Sequence, residues 1–193
     1  MKEFAFLQLP KGYSLYRTIA LEKDRKALWF MMIGQLVIAG VMIFLGYINC
    51  PVTEAFSMEI LQIITAFLAM LIGMFVYILG HEWVHGVFIR LFSGSPAKFG
   101  FRRGMAYAGS DAYFCKTAYI VIALAPVLIW GLILGLLLDD VPTQYFWYLY
   151  AIQIFNFAGA VGDFYVTGVI LGLPGGVLVT DEGTEMRFYV RKG

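Results

Sequence analysis

Four stretches of this sequence are apolar and long enough to cross a bilayer: Ala27 to Ile48, Ile60 to about His85, Thr117 to Leu138, and Tyr145 to about Leu171. Nothing restricts the fold more. A spanning segment needs about 20 apolar residues and has no water to bond with, so it must satisfy its own N–H and C=O groups as a helix. The composition agrees, with 61% hydrophobic and 14% charged residues, against roughly half and a quarter in soluble domains. The expected fold class is an all-α membrane protein of four transmembrane helices, with a short cytoplasmic β-hairpin-like loop between helices 2 and 3. Residues 1–26 read as an N-terminal arm, 27–172 as the membrane core and 173–193 as a tail.

The basic residues orient that core. Lys2, Lys11, Arg17, Lys23, Arg25 and Lys26 precede the first span, Arg90, Lys98, Arg102, Arg103 and Lys116 lie between the second and third, and Arg187, Arg191 and Lys192 close the chain. All 14 therefore fall on one side, and the positive-inside rule makes both termini and the central loop cytoplasmic. The expected location is the cell membrane, multi-pass. A secretory leader is not expected, because a charged segment precedes the first apolar run and that run is too long for one. Cys50 and Cys115 then lie on opposite sides, too far apart for a disulfide. A net charge of +1 gives no reason to expect nucleic acid. The expected partners are the bilayer and a membrane protein or peptide substrate.

The second span ends in His81-Glu82-Trp83-Val84-His85, which holds both histidines of the chain. On a helix, residues four apart share a face, so both imidazoles can reach one ion while Glu82 projects beside it. Two neutral nitrogens, a Zn²⁺ ion that acidifies water and a carboxylate that takes the proton make up a hydrolytic centre. Ionisable groups inside a span are costly and are therefore functional by default. Glu82 is the candidate general base, and His81 and His85 are the candidate ligands.

Catalytic zinc takes three protein ligands and keeps one position open. Of the 13 acidic residues, only Glu82 and Asp163 fall well inside the spans, which makes Asp163 the candidate third ligand. Counted from Glu59 and from Thr143, the histidines and Asp163 lie roughly 30 to 39 Å along their helices, at one level near the cytoplasmic leaflet. Asn156, seven residues before Asp163, would share its face about 10 Å deeper. It is read either as a contact to the substrate backbone or the central loop, or as a tie between helices, and Gly159 and Gly162 as allowing close helix approach. Asp111 is a weaker ligand candidate.

From Ala97 to Tyr107 the sequence is punctuated by glycine and carries Phe99 and Phe101 at alternate positions, which suits a hairpin. Two uses are open. Lys98, Arg102 and Arg103 could bind anionic lipid, or the strand edge, with Phe99 and Phe101, could pair with an unwound substrate. Ala125-Pro126 should kink the third span. Tyr145 to Tyr150 form an aromatic belt, Ser57 is a plausible cap for the second helix, and Val177 to Val190 suggests a small hairpin.

His81-Glu82-x-x-His85 in one span, Ala125-Pro126 in the next and Asn156-x-x-Gly159-x-x-Gly162-Asp163 in the last resemble the zincin-peptidase family of bacterial membrane proteins, a group similar to the site-2 protease class of intramembrane zinc metalloproteases. The resemblance runs from the second span to the fourth. It implies a metalloprotease acting on membrane-embedded peptide bonds. The last motif departs from the Asn-x-x-Pro and Leu-Asp-Gly pattern of site-2 proteases, since Gly159 replaces the proline, and no PDZ-like insertion is present. A metal transporter or sensor, and a catalytically silent zinc scaffold, are the alternative readings.

Overall fold

The computed structural model describes residues 4–20, 24–102, 105–183 and 185–191. Lys2, Lys23, Arg103 and Lys192 lie outside the described residues, as does the side chain of Arg102. Among the described residues five α-helices form: α1 (Arg25–Asn49), α2 (Ile60–Ser93), α3 (Lys116–Asp140), α4 (Thr143–Gly159) and α5 (Val161–Leu171). Four helical segments among the described residues are long and apolar enough to cross a membrane, with α4 and α5 together counting as one. Asp24 starts the first, its Oδ1 accepting from the N–H groups of Lys26 at 3.0 Å and Ala27 at 3.2 Å. Ser57 does not cap α2. Its hydroxyl donates back to Glu54 within a 3-10 turn, and Gln62 Oε1 accepts from the Glu59 N–H instead.

The helices are accompanied by a sheet, which corrects the all-α expectation. Six strands, β1 (Ala5–Phe6), β2 (Tyr13–Ile19), β3 (Lys98–Arg102), β4 (Met105–Cys115), β5 (Leu178–Asp181) and β6 (Met186–Arg191), form one antiparallel array. Its order is β1-β4-β5-β6-β2, with β3 paired to β4. The expected hairpins are both present, β3 with β4 and β5 with β6. They are not isolated, because the N-terminal arm supplies β2 alongside β6 and β1 alongside β4. A lone hairpin is marginal in water, and additional strands and helices give it a face to bury.

The chain divides into two compact units. The first holds the sheet, α5 from Asp163 onward, α2 from Glu82 onward and α3 as far as Pro126. Its core joins Phe114, Val179 and Phe188 of the sheet to Ile89 of α2, Ile122 of α3 and Ile170 of α5. The second holds the remaining lengths of α1 to α4, where Tyr77, Leu134 and Ile152 are buried together. There the belt residues donate to backbone carbonyls: Trp147 to Cys50, Tyr148 to Ala55 and Tyr150 to Met42. Much of the apolar surface of α1 and α2 stays exposed, Leu36 at 71% and Ile72 at 66% among it. Hydrocarbon suits such a surface and water does not.

Span four is interrupted where one continuous helix was expected. α4 ends at Gly159, Ala160 adopts φ −78°, ψ 10°, and α5 begins at Val161. A Cβ on Gly162 would meet nothing within 4 Å, so close packing does not explain that glycine. Each glycine weakens a helix by about 1 kcal/mol relative to alanine, and two in four residues favour a break.

Candidate metal centre

His85 and Asp163 belong to the first unit. Their Nε2 and Oδ1 atoms stand 3.6 Å apart. That is long for a hydrogen bond, but it is close to the ~3.4 Å that separates two ligands on a tetrahedral zinc with bonds near 2.0–2.1 Å. His81 immediately precedes this unit on the same unbroken helix, so α2 itself fixes its place one turn before His85. Among the described residues, His81, His85 and Asp163 offer ligand atoms that all lie within 4.8 Å of one another. Asp163 occupies the first turn of α5, where the positive end of the helix dipole favours a carboxylate. The break at Ala160 therefore places Asp163 at a helix start rather than in mid-helix.

The outer nitrogens of both rings are held. His85 Nδ1 lies 2.9 Å from the Ile122 carbonyl. A carbonyl can only accept, so Nδ1 carries a proton, and in the neutral ring Nε2 is the nitrogen with the free lone pair. The same logic settles His81 in three steps. Asn156 Nδ2 donates to the Val127 carbonyl at 3.1 Å, which fixes the amide orientation. Its Oδ1 therefore accepts from the Tyr77 hydroxyl, also at 3.1 Å. With its proton committed, that hydroxyl accepts from His81 Nδ1 at 2.9 Å. Each ring, when neutral, can thus offer Nε2 to a metal ion. Outer hydrogen bonds of this kind orient metal-binding histidines and raise their basicity.

The donor set of two imidazoles and one carboxylate suits zinc, and the side chains of His85 and Asp163 retain 12% and 24% exposure, so the centre is not sealed. Glu82 is half-buried, one residue after His81 and three before His85.

Asn156 is fully buried and engaged with Tyr77 and Val127. Of its two expected uses, the structure displays the tie between helices. Phe99 and Phe101 are exposed at 58% and 74%. The Phe99 ring borders α2 just past the histidines, since a Cβ on Gly86 would lie 2.3 Å from its Cζ. Asp111 pairs with Lys98 instead of joining the ligands.

Three features lie outside the candidates read from the sequence. Tyr77, a hydroxyl four residues before His81 inside a span, carried a signal by that spacing. The Ile122 carbonyl carried none, because any residue supplies one. Nor did Asp181, which accepts from the Tyr119 hydroxyl and, at 2.7 Å, from the Gly183 N–H. Burial raises the Asp181 carboxyl above its ordinary value, against these two hydrogen bonds, which lower it. His85 and Asp163 are near enough to act on it, the first lowering and the second raising it.

No curated protein and no solved structure matches the chain. One family does, over residues 73–178. That range takes in the two histidines, Glu82, Pro126, Asn156 and Asp163, and it covers more than half of the sequence. The chain thus belongs to the family described as "Putative zincin peptidase", whose zinc chemistry matches the donor set assembled here.

Proposed function

We propose that this protein is an intramembrane zinc metallopeptidase that hydrolyses peptide bonds of membrane-embedded substrates near the cytoplasmic leaflet. The observation that carries this reading is the convergence of His81, His85 and Asp163, with both histidine tautomers set by outer hydrogen bonds. The depth of the motif within apolar helices supports the membrane part of the proposal, and the one-sided distribution of lysine and arginine supports cytoplasmic termini.

When bound, Zn²⁺ supplies Lewis acidity, lowering the pKa of water and polarising the scissile carbonyl. His81, His85 and Asp163 would hold it. Glu82 takes a proton from water as the water oxygen bonds to the carbonyl carbon. The same carboxyl then gives that proton to the amide nitrogen as the C–N bond breaks, leaving a carboxylate and an amine. A transmembrane helix must unwind before its carbonyl can be attacked. β3, with Phe99 beside α2, offers an edge on which an unwound segment could lie.

The test is Glu82→Gln beside His85→Ala, each assayed for bound metal and for cleavage of a transmembrane peptide. Glu82→Gln should retain zinc and lose turnover by at least about 100-fold, the usual contribution of a positioned general base. His85→Ala should lose both. Undiminished cleavage by Glu82→Gln removes the mechanism, and bound zinc with no turnover in the wild type favours a silent scaffold.

A further inference from the structure

Proline 126 lies inside α3. A proline in a helix has no N–H to give to the carbonyl four residues earlier, and its ring crowds that carbonyl as well. The carbonyl four residues before Pro126 is that of Ile122, the group that His85 Nδ1 reaches at 2.9 Å. Ile122 is only 3% exposed, and a buried acceptor left unsatisfied costs ~1–3 kcal/mol. The helix thus lacks one internal donor at the position where the histidine supplies another.

We infer that Pro126 is a positioning residue of the metal centre: by withholding its N–H it frees the Ile122 carbonyl, which then fixes the His85 ring as the Nδ1–H tautomer. With alanine at 126, a backbone N–H would compete for the same carbonyl. His85 would lose its fixed partner and populate both tautomers, one of which carries the proton on Nε2. Kinking alone is a different role for the same proline, and the two roles can be separated. The inference rests on the reading of His85 as a ligand.

The experiment uses the full chain in detergent with residue 126 in three forms: proline, Pro126→Ala, and lactic acid, the α-hydroxy analogue of alanine, introduced by nonsense suppression. The ester formed by lactic acid has the alanine side chain but no N–H. Zn²⁺ affinity is measured by chelator competition, and the His85 tautomer of the metal-free protein by ¹⁵N NMR. Pro126→Ala should weaken Zn²⁺ binding ~10–100-fold, the usual effect of losing an outer-shell partner, and should mix the tautomers. The ester should restore both readouts to near the proline values. Alanine is the better helix former, so unchanged circular dichroism is expected throughout. An alanine variant with wild-type affinity and an unmixed His85 tautomer overturns the inference, as does an ester no better than alanine. A wild type that binds no zinc sinks the metal-centre reading instead, while the tautomer measurement still decides the role of Pro126.

Discussion

The Tyr77 hydroxyl donates to Asn156 Oδ1 at 3.1 Å, joining residues 79 positions apart. Through this bond a fully buried amide on α4 is linked to a candidate metal ligand it does not touch, because Tyr77 in turn accepts from His81. Tyr77→Phe should keep the ring packing and remove the hydroxyl that links Asn156 to His81, weakening Zn²⁺ binding ~10–100-fold. Asn156→Leu should do the same and also destabilise the protein by ~1–3 kcal/mol, because the Val127 carbonyl loses its side-chain donor. Chelator competition and denaturant unfolding check the two effects separately. Full zinc affinity in Tyr77→Phe contradicts the relay.

Asp163 tests the join between the last span and the histidines. Asp163→Ala removes one of three candidate ligands and should reduce zinc in the purified protein to a small fraction of one equivalent, by elemental analysis. Asp163→Asn retains the shape but loses the charge, and should fall between alanine and wild type. Wild-type metal content in Asp163→Ala would mean that another group completes the set.

The Tyr119 hydroxyl donates to Asp181. Tyr119→Phe should cost about 1 kcal/mol, because it strips one of two described donors from a half-buried carboxyl. Burial raises Asp181 from its ordinary value of 3.8, so folding favours the protonated form. Through this group the folded state binds more protons than the unfolded chain, so the contribution of Asp181 to the stability of the metal-free protein should be fully present below about 3.8 and be lost as pH rises through the raised value. Asp181→Asn should flatten that decline in denaturant titrations run across the acidic range.

Gly86 bears on the exposed edge. A Cβ there meets the Phe99 ring, so Gly86→Ala should push Phe99, and β3 with it, away from α2. Helix propensity gains up to about 1 kcal/mol from the change, which keeps stability near that of wild type. If β3 receives substrate, KM should rise several-fold while zinc affinity holds. Adding Phe99→Ala relieves the clash, so the double variant should fall short of the sum of the two single effects.

How much of this was legible beforehand follows from what each feature depends on. The spans and the His81–His85 pair are local: apolar length and a four-residue interval suffice to specify them. Asp163 was legible because a carboxylate is conspicuous in an apolar run, and Asn156 was noticed for the same reason. The two hairpins were readable from short-range turn chemistry. The sheet that unites them was not, because β2 pairs with β6 across almost the whole chain, and no short window encodes a partner so distant.

The sequence by itself determined which segments are long and apolar enough to cross a membrane and which side chains are candidates for metal chemistry, since both follow from residue type and near spacing. Tertiary structure decided how those side chains are aimed. The break at Ala160 puts Asp163 at a helix start, Tyr77 and Asn156 reach across from separate helices, and Ile122 offers a carbonyl that any residue at that position would possess. A ligand's identity is written in its side chain, whereas its tautomer and direction depend on which donor or acceptor the folded chain sets opposite it.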